Sequence, residues 1–565
     1  RVGDRFKNFR TRLNLESKVT NFLTIGLTSQ FATKDKGAQA ADVTQRTNNS
    51  PYTTNDIDDP DSPYRMYPSG DNNGKNPFFD NMYRDKREIE HTLNANIYAI
   101  VKLPFGIEYQ MNYTPKYKWY EFMKHESAEH PEWAGKGGYA ERRNSKSFNW
   151  LLDNIIRWKD QFNGGHNFEV TLLANAEKGQ YWDTYVSAQN FSPSDLLGYH
   201  NMGAGTVLSF LQDDGKNQDT YRTGDALMGR LYYSYKDKYM VTATIRHEGS
   251  SKFAAENRWG NFWALSGGWR VSGEEFMKEF DWVNDLKIRF GYGVTGNNDF
   301  DASYMANTLS RDQYWMLPSG SWAFVYGPSS NVNPYLGWEE KKEWNIGVDY
   351  SFFGNRMYGK FDYYRRKIDG MIYEVNVPQP PYPNGKQWQN IGEMESKGWE
   401  FEVGGDIIQN KDFTWTSSLN MSHNSGKILT MYGNNSRMDG NAMDEPGWPG
   451  DASRIEEGAE IGAFHMWKFA GFDDKGDFLL YNKDGEVIPA SQKSVDDKQY
   501  IGNYLPKVMM GWNNTFTYKN FDLGINMRSW IGFDVLNTYP MYLGIQGQSG
   551  AGQWNLWKPA LDDPK

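Results

Sequence analysis

The sequence predicts an all-β fold, a transmembrane antiparallel β-barrel, and three observations predict it. Stretches of roughly ten residues alternate apolar and polar side chains, the period of a strand with two unlike faces. The intervals between them alternate short and long. Aromatics reach 16% of 565 residues, with 36 Tyr, 32 Phe and 22 Trp, while the mean hydropathy is −0.78. A soluble core with that many rings carries more aliphatic residues, and a disordered chain carries few rings. A wall with one lipid face and one wet face satisfies both facts.

Residues 21–33 set Leu23, Ile25, Leu27 and Phe31 against Thr24, Gly26, Thr28 and Gln30. In 87–103, Ile89, Leu93, Ala95, Ile97, Ala99 and Val101 oppose Glu90, Thr92, Asn94 and Asn96. Residues 105–114 and 167–177 repeat the pattern. So do 344–352, 399–407, 413–421 and 521–528, as in Trp344, Ile346, Val348, Tyr350 and Phe352 against Asn345, Gly347 and Asp349. About sixteen such segments start near residues 5, 21, 87, 105, 146, 166, 225, 238, 258, 285, 339, 356, 393, 412, 505 and 521. Tight turns are expected near 18–20, 103–104, 161–165, 236–237, 353–355, 410–411 and 519–520, and a longer one with room for a helical turn at 273–284. Long connections are expected at 34–86, 120–145, 179–224, 296–338 and 425–504, and shorter ones at 248–257 and 375–392. Short turns on one side and long loops on the other are the habit of outer-membrane barrels. Aromatics at strand ends (Trp119-Tyr120, Trp158, Tyr232-Tyr233, Tyr363-Tyr364, Trp530) fit girdles at the two membrane interfaces. A soluble sandwich or propeller also alternates, but a propeller would repeat itself by blades, and no such repeat is present.

Composition excludes several functions. The net charge is −10, with 61 Lys+Arg against 71 Asp+Glu, and no basic stripe favours nucleic acid. The absence of cysteine excludes disulfides, cysteine zinc sites and thiol catalysis. No run of about 18 apolar residues is long enough for a membrane helix. Arg1-Val2-Gly3-Asp4 reads as mid-protein sequence, so any export signal is expected upstream. No Ser/His/Asp set, phosphate loop or paired acid site stands out, and no enzyme activity is expected.

Several passages resemble the SusC/RagA family of TonB-dependent outer-membrane transporters of Bacteroidetes. The densest runs from Gly229-Arg230-Leu231-Tyr232-Tyr233 through Thr242-Ala243-Thr244-Ile245-Arg246, Gly249-Ser250-Ser251-Lys252-Phe253 and Arg258-Trp259-Gly260. It continues with Gly273-Glu274-Glu275-Phe276-Met277, Leu286-Lys287-Ile288-Arg289 and Gly293-Val294-Thr295-Gly296-Asn297. His247-Glu248 stands where the family has a single Asp before Gly-Ser-Ser. Asn390-Ile391-Gly392-Glu393-Met394 with Gly398-Trp399-Glu400, and Gly502-Asn503-Tyr504-Leu505-Pro506, are similar to it too. The long loops carry none of this resemblance.

The resemblance implies a 22-stranded barrel, of which residues 1–565 would be a partial TonB-dependent receptor β-barrel domain lacking plug, TonB box and about six strands. It implies multi-pass residence in the outer membrane and active import of nutrients, oligosaccharides first and peptides second. It implies a SusD-like surface lipoprotein as lid and energy from TonB–ExbB–ExbD. A passive porin or a scaffold subunit of a larger envelope complex are the alternatives. Substrate is expected on aromatic outer loops, where ring faces stack on sugars: Tyr314, Trp315, Trp322, Tyr326, Tyr382, Trp388 and Trp448. His247 and Glu248 read as polar loop residues rather than an acid–base pair. Asp473, Asp474, Asp477 and Asp484, with Asn482 and Glu486, space oxygen ligands as a calcium loop would, without a clear bidentate Glu at the twelfth place. Two Asp-rich hairpin turns explain them equally. No other cofactor is expected.

Overall fold

The structure is a computed structural model. It describes residues 5–37, 39–41, 78–130, 133, 135–209, 217, 219–300, 309–328, 331–383, 385–432, 437–439, 442–443 and 450–537. Sixteen long strands form its frame. They are β1 Lys7–Lys18, β2 Leu23–Asp35, β3 Arg84–Lys102, β4 Ile107–Glu126, β5 Tyr139–Phe162, β6 His166–Phe191, β7 Thr220–Tyr235 and β8 Tyr239–Ser250. The others are β9 Trp259–Arg270, β10 Val283–Asn297, β11 Glu339–Phe352, β12 Met357–Asp369, β13 Gly392–Gln409, β14 Phe413–Met431, β15 Val508–Tyr518 and β16 Phe521–Ile531. With the short strand Gly205–Ser209, which pairs with the end of β6, they make one 17-stranded sheet. Each long strand pairs antiparallel with its neighbour in sequence, from β1–β2 to β15–β16. Among the described residues β1 and β16 pair on one side only. All sixteen expected segments are strands.

The register carries the alternation across the whole sheet. Leu172, Gly229, Ile245 and Trp263 lie side by side on one face, and Leu265, Tyr292 and Trp344 line up likewise. This face is exposed and apolar, with Ile97, Leu172, Leu231, Ile245, Leu265, Phe290, Ile346 and Leu523 among its exposed side chains. Two rows of packed rings bound it. On β5 the upper row holds Phe148 and Trp150, against Tyr117 and Tyr113. The lower row holds Trp158 and Phe162, with Phe168 and Tyr233 beyond them. On β11 the same rows are Trp344 with Tyr363 above and Phe352 with Trp282 below. About eight residues of strand separate the rows, close to what a tilted strand needs to cross hydrocarbon. The opposite face is polar, and its charges pair across strands. Arg289 donates twice to Asp349, at 2.8 and 2.9 Å, and reaches Asp362 at 3.2 Å. Arg157 donates to Gln110 at 2.6 Å, and Lys360 lies 3.3 Å from Glu402.

The lower connections are short. Gly164 and Gly165 turn β5 into β6 at φ of 90° and 87°, a region that suits glycine. The longer turn after β9 holds two 3-10 turns, Val271–Gly273 and Glu275–Met277. At the upper end, two expected loops prove to be about half strand. β5 has 24 residues and β6 has 26, so 120–126, 139–145 and 179–191 extend the sheet beyond the upper rings. At about 3.3 Å per residue each strand is roughly 80 Å long. Above the membrane both faces meet water or loops, so the hydrophobic alternation fades while the hydrogen-bond ladder continues. The connection expected at 248–257 is likewise β8 as far as Ser250.

No single apolar core exists among the described residues. Three small clusters lie instead at the roots of the upper loops. Met123, Ala140, Ala188, Phe191 and Tyr199 form one, where the 3-10 segment Gly198–Ala204 covers the strand extensions. Met371, Val375, Ile391 and Ile428 form the second. Phe253, Phe300 and Leu336 form the third.

Candidate functional site

The upper half of the polar face, on β2 to β6, is the richest concentration of recognition chemistry in the described structure. The pleat sends even-numbered residues of β2 to β4 and odd-numbered residues of β5 and β6 to this side. Glu90 faces Lys34 at 2.8 Å and Lys118 at 3.0 Å. Glu126 accepts from Lys124 at 2.5 Å and from the Trp133 indole, and pairs by charge with Arg84 at 2.9 Å. Burial alone would raise the Glu126 carboxyl, but these donors and the Arg84 charge hold it below the usual carboxylate range. Arg143 Nε donates to Asp183 Oδ1 at 2.8 Å.

Rings stand among these charges. Tyr139 and Tyr185 each donate a hydroxyl to Glu141 Oε2 at 2.6 Å. Burial, then the adjacent Glu141 carboxylate, pushes the Tyr139 phenol above its usual range. Tyr181 donates to Asp183 at 3.2 Å. Trp133 stacks on Tyr139 with centroids 4.7 Å apart and planes 13° apart. Tyr139, Tyr181 and Trp133 are half-buried and present ring edges and faces beside the Glu141 carboxylate, while Tyr185 and Asp183 are buried beneath them. This surface suits a neutral polyhydroxyl ligand or a peptide more than a strongly charged one, because its charges already neutralise one another.

The sequence-derived candidates fall in other loops. Tyr314, Trp315, Trp322 and Tyr326 fall on the hairpin Leu309–Met316/Trp322–Pro328. The side chains of Tyr314, Trp315 and Tyr326 are outside the described residues, as is the whole of Trp448. Trp322 is 66% exposed. Tyr382 is half-buried in the bend after Ile372–Asn376. Trp388 packs towards Phe300, 6.2 Å between centroids, and belongs to a loop root rather than a surface.

His247 and Glu248 are consecutive strand residues and point to opposite faces. His247 stacks on Trp259, 4.7 Å between centroids, and shares a 2.8 Å hydrogen bond with Asn261. Glu248 accepts from Arg246 at 2.5 Å.

The Asp-rich stretch is a three-stranded meander, Lys468–Phe472, Phe478–Tyr481 and Val487–Pro489, with two matching turns. Asp473 Oδ1 accepts from the amides of Lys475 and Asp477, and Asn482 Oδ1 from those of Asp484 and Glu486. Gly476 and Gly485 close the turns at φ of 86° and 83°. The Asp473 and Asn482 side chains are thus engaged in shaping hairpins. Among the described residues no three His, Asp or Glu side chains stand close enough together to hold an ion.

Sequence reasoning missed Tyr139, Tyr181, Tyr185 and their partners because it read 120–145 and 179–224 as loops. The signal in the sequence is faint: Tyr139, Glu141 and Arg143, and Tyr181, Asp183 and Tyr185, recur at every second residue with no consistent apolar set between them.

Comparison with known proteins agrees with this architecture. Residues 30–556 match the family model for the β-barrel of TonB dependent receptor-like proteins. TonB-dependent receptor P3 of Formosa agariphila is 28% identical over 535 residues, which are 90% of this chain and 50% of that protein. TonB-dependent receptor SusC of Bacteroides thetaiotaomicron is 30% identical over 380 residues, 65% of this chain and 34% of that one. The chain thus spans half or less of the length of these relatives. Among solved structures, the RagAB peptide importer in its open-open state superposes with a TM-score of 0.78 at 19% identity, covering 97% of this chain and 59% of that one. At that identity the likeness concerns the fold. These are receptors and transporters of the outer membrane, not enzymes. The chain belongs to the TonB-dependent receptor β-barrel family.

Proposed function

We propose that the protein imports a nutrient across the outer membrane, with an oligosaccharide as the leading substrate class and a peptide as the second. In this reading a SusD-like surface lipoprotein captures the substrate over the upper mouth. TonB–ExbB–ExbD supplies the energy through an amino-terminal segment, and no cofactor takes part.

The observation that carries the reading is a membrane-spanning wall of this family whose polar face rises into a mouth lined by Tyr139, Tyr181 and Trp133 beside Glu141, with Tyr185 and Asp183 buried behind them. Aromatic faces stack on the C–H surfaces of sugar rings, and carboxylates accept hydroxyl hydrogens. The same groups would hold a peptide through its backbone amides, and the RagAB neighbour is a peptide importer. The test is calorimetry of the protein, purified with whatever lipoprotein accompanies it, against panels of oligosaccharides and short peptides. Binding of one class, weakened by Tyr181→Ala, supports the reading. Binding of neither class, with cells taking up both normally when the gene is deleted, rejects it.

A further inference from the structure

The lipid-facing side of β12 to β15 is not uniformly ridged. It holds an apolar groove of about 730 Å³. Gly405 and Ser417 lie opposite each other on its floor, and Met357, Val403, Leu419, Met510 and Trp512 form its walls. The floor is low by construction. A Cβ on Gly405 would fall 2.2 Å from the Arg356 carbonyl oxygen, so this position admits only glycine. One wall is fixed, because the Trp512 indole donates to Ser417 Oγ at 2.9 Å. The groove ends at the short-turn side, where Phe353 stacks with Trp282 in the lower ring row. Arg356 stands there, exposed, with one hydrogen bond of 3.2 Å to the Asp406 carbonyl. Among the described residues no carboxylate forms an ion pair with it.

We propose that this groove is a binding site for a phospholipid of the periplasmic leaflet, one acyl chain lying along Gly405 and Ser417 and the phosphate paired with Arg356. Three features fix the choice of occupant. The groove opens onto hydrocarbon, so an apolar chain fills it. Its mouth lies at the level of the interfacial rings, where lipid headgroups sit. The cation at the mouth complements a phosphate, which a guanidinium can grip with two donors. The site rests on the membrane location of the wall and is independent of what the protein transports.

Native mass spectrometry tests it. The protein is extracted from outer membranes in mild detergent, stripped of lipid, and titrated with phosphatidylethanolamine and, separately, phosphatidylglycerol. One saturable adduct per chain is expected with either lipid, since both carry the phosphate. Arg356→Gln lies in a turn outside the ladder and should leave folding intact while weakening the adduct about tenfold. Ser417→Leu fills the floor and should abolish it; a heat-shifted band on electrophoresis confirms that the variant folds. Equal adducts on all three proteins overturn the proposal. So does a dimer mass that both substitutions disrupt without any lipid adduct, because the groove would then seat a second copy.

Discussion

Replacing Ile97 by lysine separates a membrane wall from any soluble β fold. Ile97 lies on β3, five residues above Lys102 at the lower end and six below His91, which pairs with Trp119. Its side chain is 45% exposed on the apolar face. Five residues at about 3.3 Å each, tilted by about 40°, place it roughly 13 Å into a band about 25 Å tall. It therefore sits near the middle. A lysine there costs about 2–4 kcal/mol in a membrane barrel. The same exposed position in a soluble sheet tolerates lysine within about 0.5 kcal/mol. Asn96, the next residue, faces the polar side and accepts from Thr114 at 3.3 Å. Asn96→Lys serves as the control and should cost under about 1 kcal/mol, since water reaches that face. Guanidinium titration of protein refolded into lipid vesicles, read by the heat-shifted electrophoretic band, gives both values. Equal costs for the two variants would refute the assignment of faces.

Three further outcomes follow from the upper mouth and loops. Glu126 has its carboxyl held below the usual range, so its contribution to the mouth is complete above the unfolded value near about 4.3 and is lost as pH falls through the lower folded value. Protection of the 127–138 connection from an acid-active protease should be flat from pH 7 to about 5 and decline only below about 4, and Glu126→Gln should remove that decline. Trp388→Ala opens a half-buried cavity beside Phe300 and should cost about 2–3 kcal/mol in the same guanidinium titration, whereas exposed Trp322→Ala should stay within about 0.5 kcal/mol. Asp473→Ala leaves the Lys475 and Asp477 amides without their acceptor and should cost that hairpin about 1 kcal/mol, as loss of a helix cap does, read as faster hydrogen exchange at both amides.

The order and number of the strands were legible because lipid on one side and water on the other impose a period of two that survives every local irregularity. Leu23, Ile25 and Leu27 on β2 and Trp344, Ile346 and Val348 on β11 announce themselves in this way. The strand ends were legible where a short turn followed, as at Gly164-Gly165. They were not legible at the upper ends of β4 to β6. There Tyr120, Lys124 and Glu126, or Tyr181, Asp183 and Tyr185, face ion pairs on one side and loops on the other, and polar composition imitates a loop. The candidate recognition surface is hidden from the sequence for the same reason, since it is built on those extensions. The loop candidates were chosen by ring content alone. Ring content does not distinguish Trp322, which stands exposed, from Trp388, which packs against Phe300. The Asp-rich stretch shows a similar ambiguity. Oxygens at alternate positions suit a cation, and they suit equally a pair of turns whose first residue accepts two amides.

The central claim is that this sheet spans a bilayer with one face to lipid and one to water. The chain contains no cysteine, so single cysteines introduced from Val241 to Arg246 on β8 report on each face separately in native membranes. Labelling with a membrane-impermeant thiol reagent, competed by a lipid-soluble one, should alternate. Positions 242, 244 and 246 should react from water, and 241, 243 and 245 only with the lipid-soluble reagent. Uniform reaction with the impermeant reagent at all six positions would contradict the account.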